Sequence, residues 1–252
     1  MKGALCALYS ACAYIFFFAT FLFAIAFVEG IGPKTLDSGA AGSGATALAI
    51  DLALLTIFAL QHSVMARPGF KRVWTRIVPK EIERSTYVVF ASAALALLIW
   101  KWQPLPQPVW TIADARWAAL LRILSFGGWA LVLISTFLIS HLHLFGVLQG
   151  FARLARREPE PMKFVTPLFY RWVRHPLYVG FILAFWAAPA MSLGHLLFAA
   201  ATTGYILLGI WLEERDMAAQ FGTTYLHYRE RVGMLLPKIR LRPVPTPHEI
   251  RR

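Results

Sequence analysis

Acidic residues are scarce in this chain. Thirteen Asp and Glu stand against 25 Lys and Arg, and all charged residues together make up 15% of 252. A water-soluble domain needs more charged surface than that, so a soluble globular class is excluded. The excess gives a formal net charge of +12. It does not point to nucleic acid, because the basic residues fall between apolar runs, where topology and anionic lipid account for them. Cysteine is nearly absent: Cys6 and Cys12 both lie in the first apolar run. That pair makes neither a disulfide framework nor a thiolate metal site. A Gly-rich strand-to-helix fingerprint is missing, which excludes a Rossmann dinucleotide fold. No internal repeat is visible, which argues against a transporter built from duplicated halves. Lys2 is the only charge before the first apolar run, and no small-residue cleavage site follows it. That run therefore reads as a retained helix and not as a signal peptide.

What is abundant is apolar sequence, 58% of the residues. It falls into runs at 5–28, 45–65, 86–102, 117–139, 177–191 and 194–212. Most are long enough to cross ~30 Å of hydrocarbon as a helix; 177–191 is short, so it either spans with little tilt or stops below the far surface. Segment 29–44, rich in Gly and small residues, reads as a flexible loop. Loops 66–85 and 140–176 and the tail after 213 hold most of the Lys and Arg, whereas 29–44, 103–116 and 192–194 are poor in them. Six spans with both termini cytoplasmic satisfy every loop. The expected fold class is therefore all-α, a polytopic membrane helical bundle of about six spans (five to six), with a C-terminal surface helix on the cytoplasmic side. We treat 1–252 as a single domain: four N-terminal spans in 1–139, a cytoplasmic loop at 140–176, a helical hairpin at 177–212 and a polar tail at 213–252. Asp51 interrupts the second span, and Arg122 lies near the start of the fourth, where snorkelling is cheap.

Two polar clusters flank the hairpin. Arg174, His175 and Tyr178 open its first helix, and Glu213 and Glu214 end its second. A tight antiparallel hairpin brings the two clusters to one membrane surface. The helix start, with Pro176 in its first turn, offers free N–H groups suited to a carboxylate. The two Glu could hold a cation, an amine or ribose hydroxyls. On charge alone, pairing of Arg174 with Glu214 or with lipid headgroups accounts for the cluster equally well. A third element follows, in which Tyr225 and Tyr228 share one face of a helix between Phe221 and Val232.

Taken together, Arg174-His175-Pro176-Leu177-Tyr178-Val179-Gly180, then Glu213-Glu214, then Phe221-Gly222-x-x-Tyr225-x-x-Tyr228-x-x-x-Val232 and Pro237 resemble the integral membrane methyltransferases. That superfamily includes isoprenylcysteine carboxyl methyltransferases and phospholipid methyltransferases. The resemblance covers about a quarter of the chain. It implies S-adenosyl-L-methionine as methyl donor and S-adenosyl-L-homocysteine as product, bound in a non-Rossmann helical pocket. Carried over position by position, it implies cofactor contacts from Arg174, His175, Tyr178 and Gly180, with Glu213 and Glu214 opposite, and Tyr225 and Tyr228 closing the pocket. Met217 stands where the family often has Leu, a volume-conserving change.

The N-terminal half narrows the likeness. Gln61-His62-Ser63-Val64-Met65-Ala66-Arg67 and Ser135-Thr136, then Ser140-His141-Leu142-His143-Leu144-Phe145-Gly146, with Gln149, are similar to bacterial methanethiol S-methyltransferases. That likeness implies an enzyme of the bacterial inner membrane that methylates a small thiol, most simply methanethiol to dimethyl sulfide. His143 departs from the acidic residue that some relatives carry there. Proteins linked to nitric oxide reduction share the Gln-His-Ser pattern.

A thiolate is a far better nucleophile than a thiol, so one base within reach helps. His62, His141 and His143 are the catalytic candidates, each at a cytoplasmic helix end in this topology. The alternative for these side chains is bonding to loop carbonyls or a haem or metal site; no metal is assigned here, because His141-x-His143 lacks a partner ligand in sequence. His195 sits at the opposite face and is excluded from the site, and His248 is read as part of a mobile tail. Other readings of the whole chain are methylation of an isoprenylcysteine or lipid acceptor and a non-enzymatic haem or metal protein.

Overall fold

The structure, a computed structural model, describes residues 2–39, 43–157 and 164–238. Pro159, Pro161 and His248 lie outside the described residues. The order is α1 (Lys2–Val28), α2 (Gly44–Ala66), α3 (Pro68–Trp74), α4 (Lys80–Lys101), β1 (Pro108–Thr111), α5 (Ala115–Ile139), α6 (His141–Leu144) and α7 (Val147–Leu154). A 3₁₀ turn at Leu168–Arg171 follows, then α8 (Pro176–Trp186), β2 (Ala190–Ser192), α9 (Leu193–Phe221) and α10 (Thr223–Arg231). Helices α1, α2, α4, α5 and α9 are each long and apolar enough to cross a membrane. The chain is an integral membrane protein with an all-α bundle. Two of the long helices start on side-chain caps. Asp114 accepts from the N–H groups of Arg116 and Trp117 at the start of α5, and Ser192 accepts from that of His195 at the start of α9.

The fifth run does not form a full-length helix. Helix α8 has 11 residues, roughly 16 Å of rise, against ~30 Å of hydrocarbon. The chain continues as extended backbone, whose strand β2 pairs antiparallel with β1, Trp110 facing Met191 and Thr111 facing Ala190. Backbone leaving a helix inside a membrane needs new partners. Here His195 Nε2 lies 2.9 Å from the Phe185 carbonyl, Trp110 Nε1 donates to that of Ala188, and the Ile112 N–H donates to that of Pro189. His195 thus serves the end of α8, far from Arg174. This small ribbon has no counterpart in the expected architecture.

Residues 29–39 correct a second expectation. They are not a loose loop: Leu36 is buried, its N–H donates to Phe27 O, and its carbonyl accepts from Trp102 Nε1. Lys34 Nζ donates to Trp102 O, and the buried Asp51 accepts from the Gln103 N–H. These bonds close one end of the bundle over a core containing Phe27, Leu54, Leu98, Trp102, Trp129, Phe185 and Phe198. Segment 140–157 is likewise not an open loop. Helix α7 packs along α1, and Phe145 stacks on Phe17 at 3.9 Å.

Helices α5 and α8 approach each other closely. A methyl group on Gly128 would come 2.5 Å from Gly180 O, and one on Gly180 would come 2.6 Å from Gly128 O. Only hydrogen fits at either position. This contact sets the rotation of α8 and, with it, the direction in which Tyr178 points.

Candidate active site

At the end of the bundle opposite Trp102, α8 begins where α9 ends. Glu214 Oε1 accepts from Arg174 Nε at 2.7 Å and lies 3.0 Å from His175 Nε2. All three side chains are largely buried. The Tyr178 hydroxyl donates to Glu213 Oε2 at 3.0 Å. The hairpin therefore brings the two polar clusters together as the sequence implied. The other oxygens, Glu213 Oε1 and Glu214 Oε2, accept nothing from the described residues.

The segment after α10 completes the cluster. The backbone N–H of Arg174 donates to Gly233 O and that of His175 to Met234 O. Arg174 Nη1 also donates to Val232 O at 2.5 Å and to Arg229 O at 3.1 Å. Arg174 is thus committed to Glu214 and to the C-terminal segment, and acts by holding them. Tyr225 is 2% exposed, yet its hydroxyl has no partner among the described residues. Tyr228 donates to Tyr170 O at 2.6 Å. Phe164 packs its ring against Phe221, Tyr225 and Tyr228. Burial raises the phenols of Tyr170 and Tyr225 and pushes that of Tyr228 up to about 12, so all three stay neutral donors at physiological pH. Gly180 does not join them; it faces α5.

Tyr178 also borders a cavity of about 330 Å³ enclosed by α1, α2, α4, α5, α8 and α9. Most of its wall is apolar, with Phe17, Phe21, Trp129 and Phe181 prominent. The histidines, the arginine and the tyrosines of the lining gather at the Tyr178 end: His62, Arg84, Tyr87, His141 and Tyr205; the hydroxyl residues Thr20, Ser92, Thr136 and Thr202 also line it. The His62 ring lies 5.2 Å from that of Tyr87, and the Arg84 guanidinium lies 4.8 Å from the same ring. Arg84 Nε donates to Leu144 O, and the guanidinium has no carboxylate partner among the described residues. Neither nitrogen of His62 has a hydrogen-bond partner there, and its Nδ1 is buried.

His141 is fully occupied. Its Nδ1 lies 2.7 Å from Thr136 Oγ1, whose single proton goes to Leu133 O. Nδ1 must therefore be the protonated nitrogen, and Nε2 accepts from the Tyr14 hydroxyl at 2.8 Å. Burial lowers its pKa, in keeping with a neutral ring. His143 does not line the cavity; the Gln149 side chain donates to its carbonyl and lies 3.5 Å from its Nδ1. Of the three candidate histidines, two face the cavity and one of these is unengaged. Sequence reading missed Arg84, which counts there only as a loop charge, and Tyr87 and Tyr205, which are scattered in apolar runs.

Among the described residues no group of three or more His, Cys, Asp or Glu is arranged to hold a metal ion. No model of a known protein family matches the chain, and no solved structure does. Individual relatives do. Methanethiol S-methyltransferase 1 of Bradyrhizobium diazoefficiens is 54% identical over 231 residues, 91% of this chain and 81% of the relative. The chain belongs to the methanethiol S-methyltransferase family. A member from Mycobacterium tuberculosis is 48% identical over 94% of this chain and 98% of its own length. The relationship thus includes the first four spans and not only the C-terminal motifs. Nurim of Danio rerio is a more distant relative, 29% identical over 68% of this chain and 65% of its own. Family membership makes the chain a membrane methyltransferase, and methyl transfer requires a methyl donor.

Proposed function

We propose that the chain transfers a methyl group from S-adenosyl-L-methionine to methanethiol, releasing dimethyl sulfide and S-adenosyl-L-homocysteine. The observation that carries this reading is the dual position of Tyr178. Its ring walls the apolar cavity and its hydroxyl holds Glu213, so a charged donor site and an apolar acceptor site share one side chain.

The residues present fit the donor. Two carboxylate oxygens and a buried phenol lack partners among the described residues, which suits a ligand rich in hydroxyl and ammonium groups. Glu213, Glu214, His175 and Tyr178 would hold it, Arg174 would position Glu214, and Tyr225 and Tyr228 would close the site. When bound, the donor supplies an electrophilic methyl on a sulfonium. On the acceptor side, His62 accepts the thiol proton. Arg84 stabilises the resulting thiolate at the polar end of the cavity, where the apolar walls exclude water and strengthen that interaction. His141 fixes the floor through Tyr14 and Thr136, and His143 lies outside this group. The same reading makes the chain one catalytic unit, with the Arg174 end at the cytoplasmic face of a bacterial inner membrane. The Lys and Arg of 66–85, 140–176 and the tail support that orientation.

Headspace gas chromatography of purified protein supplied with methanethiol and the donor tests the reaction. Dimethyl sulfide should accumulate with one equivalent of S-adenosyl-L-homocysteine. Protein that binds S-adenosyl-L-homocysteine yet forms no dimethyl sulfide rejects the acceptor.

A further inference from the structure

The cavity is far larger than methanethiol needs. A buried cavity of about 150 Å³ is enough to hold benzene. This one has about 330 Å³, and methanethiol has only two heavy atoms. It is also long. Along α4 its wall runs from Arg84 to Ile99, about four helical turns or on the order of 20 Å. Along α1 it runs from Phe17 to Val28.

Polarity is distributed unevenly along this shaft. His62, Arg84, Tyr87, Tyr178 and Tyr205 cluster at one end. The deep wall is carried by Phe27, Leu98, Ile99, Phe185 and Phe198, which belong mainly to the sealed core. A thiol with its sulfur beside His62 would direct anything attached to that sulfur down an apolar tube.

We infer that the enzyme also methylates larger apolar thiols, with the sulfur at the His62–Arg84 end and a linear alkyl chain in the shaft. This rests on the reading that the cavity is the acceptor site. The chemistry is unchanged. The thiol proton passes to His62, the thiolate sulfur forms the new bond to the methyl carbon, and the donor's methyl–sulfur bond breaks with its electron pair staying on the donor sulfur. The products are an alkyl methyl sulfide, S-adenosyl-L-homocysteine and the released proton.

The experiment compares purified enzyme on methanethiol, 1-hexanethiol and 6-mercaptohexanoate. Hexanethiol should give hexyl methyl sulfide, with KM falling roughly threefold to fourfold per added methylene across the series from ethanethiol, as expected for moving a CH₂ out of water. The carboxylate of 6-mercaptohexanoate would have to enter the apolar shaft, so this thiol should be turned over at least a hundredfold less efficiently. Ala24 lines the deep shaft, away from the polar end. Ala24→Phe should lower kcat/KM for hexanethiol at least tenfold and leave that for methanethiol within twofold. Equal turnover of hexanethiol and 6-mercaptohexanoate would place the chain in solvent and overturn the inference. So would wild-type enzyme that makes dimethyl sulfide but does not methylate hexanethiol. Failure to make dimethyl sulfide at all would instead count against the proposed function. The wild-type comparison stands even if Ala24→Phe does not fold.

Discussion

The Tyr178 hydroxyl donates to Glu213 Oε2 at 3.0 Å while its ring walls the aromatic cavity. Removing only the hydroxyl separates these two roles. Tyr178→Phe should keep the wall and weaken S-adenosyl-L-homocysteine binding about tenfold, or ~1.4 kcal/mol. Calorimetry checks this; an unchanged Kd would mean that Glu213 needs no help from Tyr178.

The two glutamates should respond differently. Glu214 is the counter-charge of the buried Arg174, and removing one side of such a pair costs roughly 3–5 kcal/mol. Glu214→Gln should lower both the thermal midpoint and cofactor affinity. Glu213→Gln keeps an oxygen for Tyr178 to donate to, so its midpoint should hold while affinity falls. Thermal unfolding in detergent beside calorimetry distinguishes them, and identical behaviour of the two variants would contradict this division.

On the acceptor side, His62→Ala should slow kcat roughly 10²–10⁴-fold with S-adenosyl-L-homocysteine binding intact. Arg84→Gln should raise the KM for methanethiol about tenfold, an electrostatic loss of ~1.4 kcal/mol. Arg84→Lys should restore most of it, because charge is what the thiolate requires. The Leu144 contact made by Arg84 Nε is lost in both variants. A lysine variant as poor as the glutamine variant would therefore assign Arg84 to loop anchoring.

His141 makes stability depend on pH. Burial lowers its folded pKa below the unfolded value of ~6.5. Between those two values the unfolded chain binds the extra proton, so stability is complete above pH ~6.5 and falls as pH drops below it. His141→Gln should flatten this decline in the thermal midpoint between pH 7 and pH 5. An equally steep decline in the variant would mean that another group is responsible.

Gly180 separates packing from cofactor binding. Gly180→Ala puts a methyl group into Gly128 O and should cost roughly 1–3 kcal/mol of stability. Any loss of cofactor affinity should follow from displacement of Tyr178. An alanine variant of wild-type stability with weakened affinity would restore Gly180 as a direct contact.

Much of this arrangement was legible in sequence. Arg174 meets Glu214 because a hairpin with almost no linker must return its second helix beside the start of its first. The membrane class followed from apolar run length. The short α8 was anticipated by 177–191, but the ribbon that follows it was not, because β1 and β2 are brief and their pairing joins distant segments. Residues 29–39 misled through composition; their order comes from Trp102 and Phe27, supplied by other helices.

Sequence by itself determined that the chain is a membrane bundle, that its polar clusters share one end, and which family it resembles. Those properties reside in run length, chain connectivity and ordered motifs. Tertiary structure decided which histidine is unengaged and where the cavity lies. His141 loses its lone pair to Tyr14, 127 positions away, while His62 meets only rings and open space. The inward faces of α1, α4 and α9 depend on how each helix is rotated. In an apolar run that rotation is set by packing such as Gly128 on Gly180, and not by any pattern within the run itself.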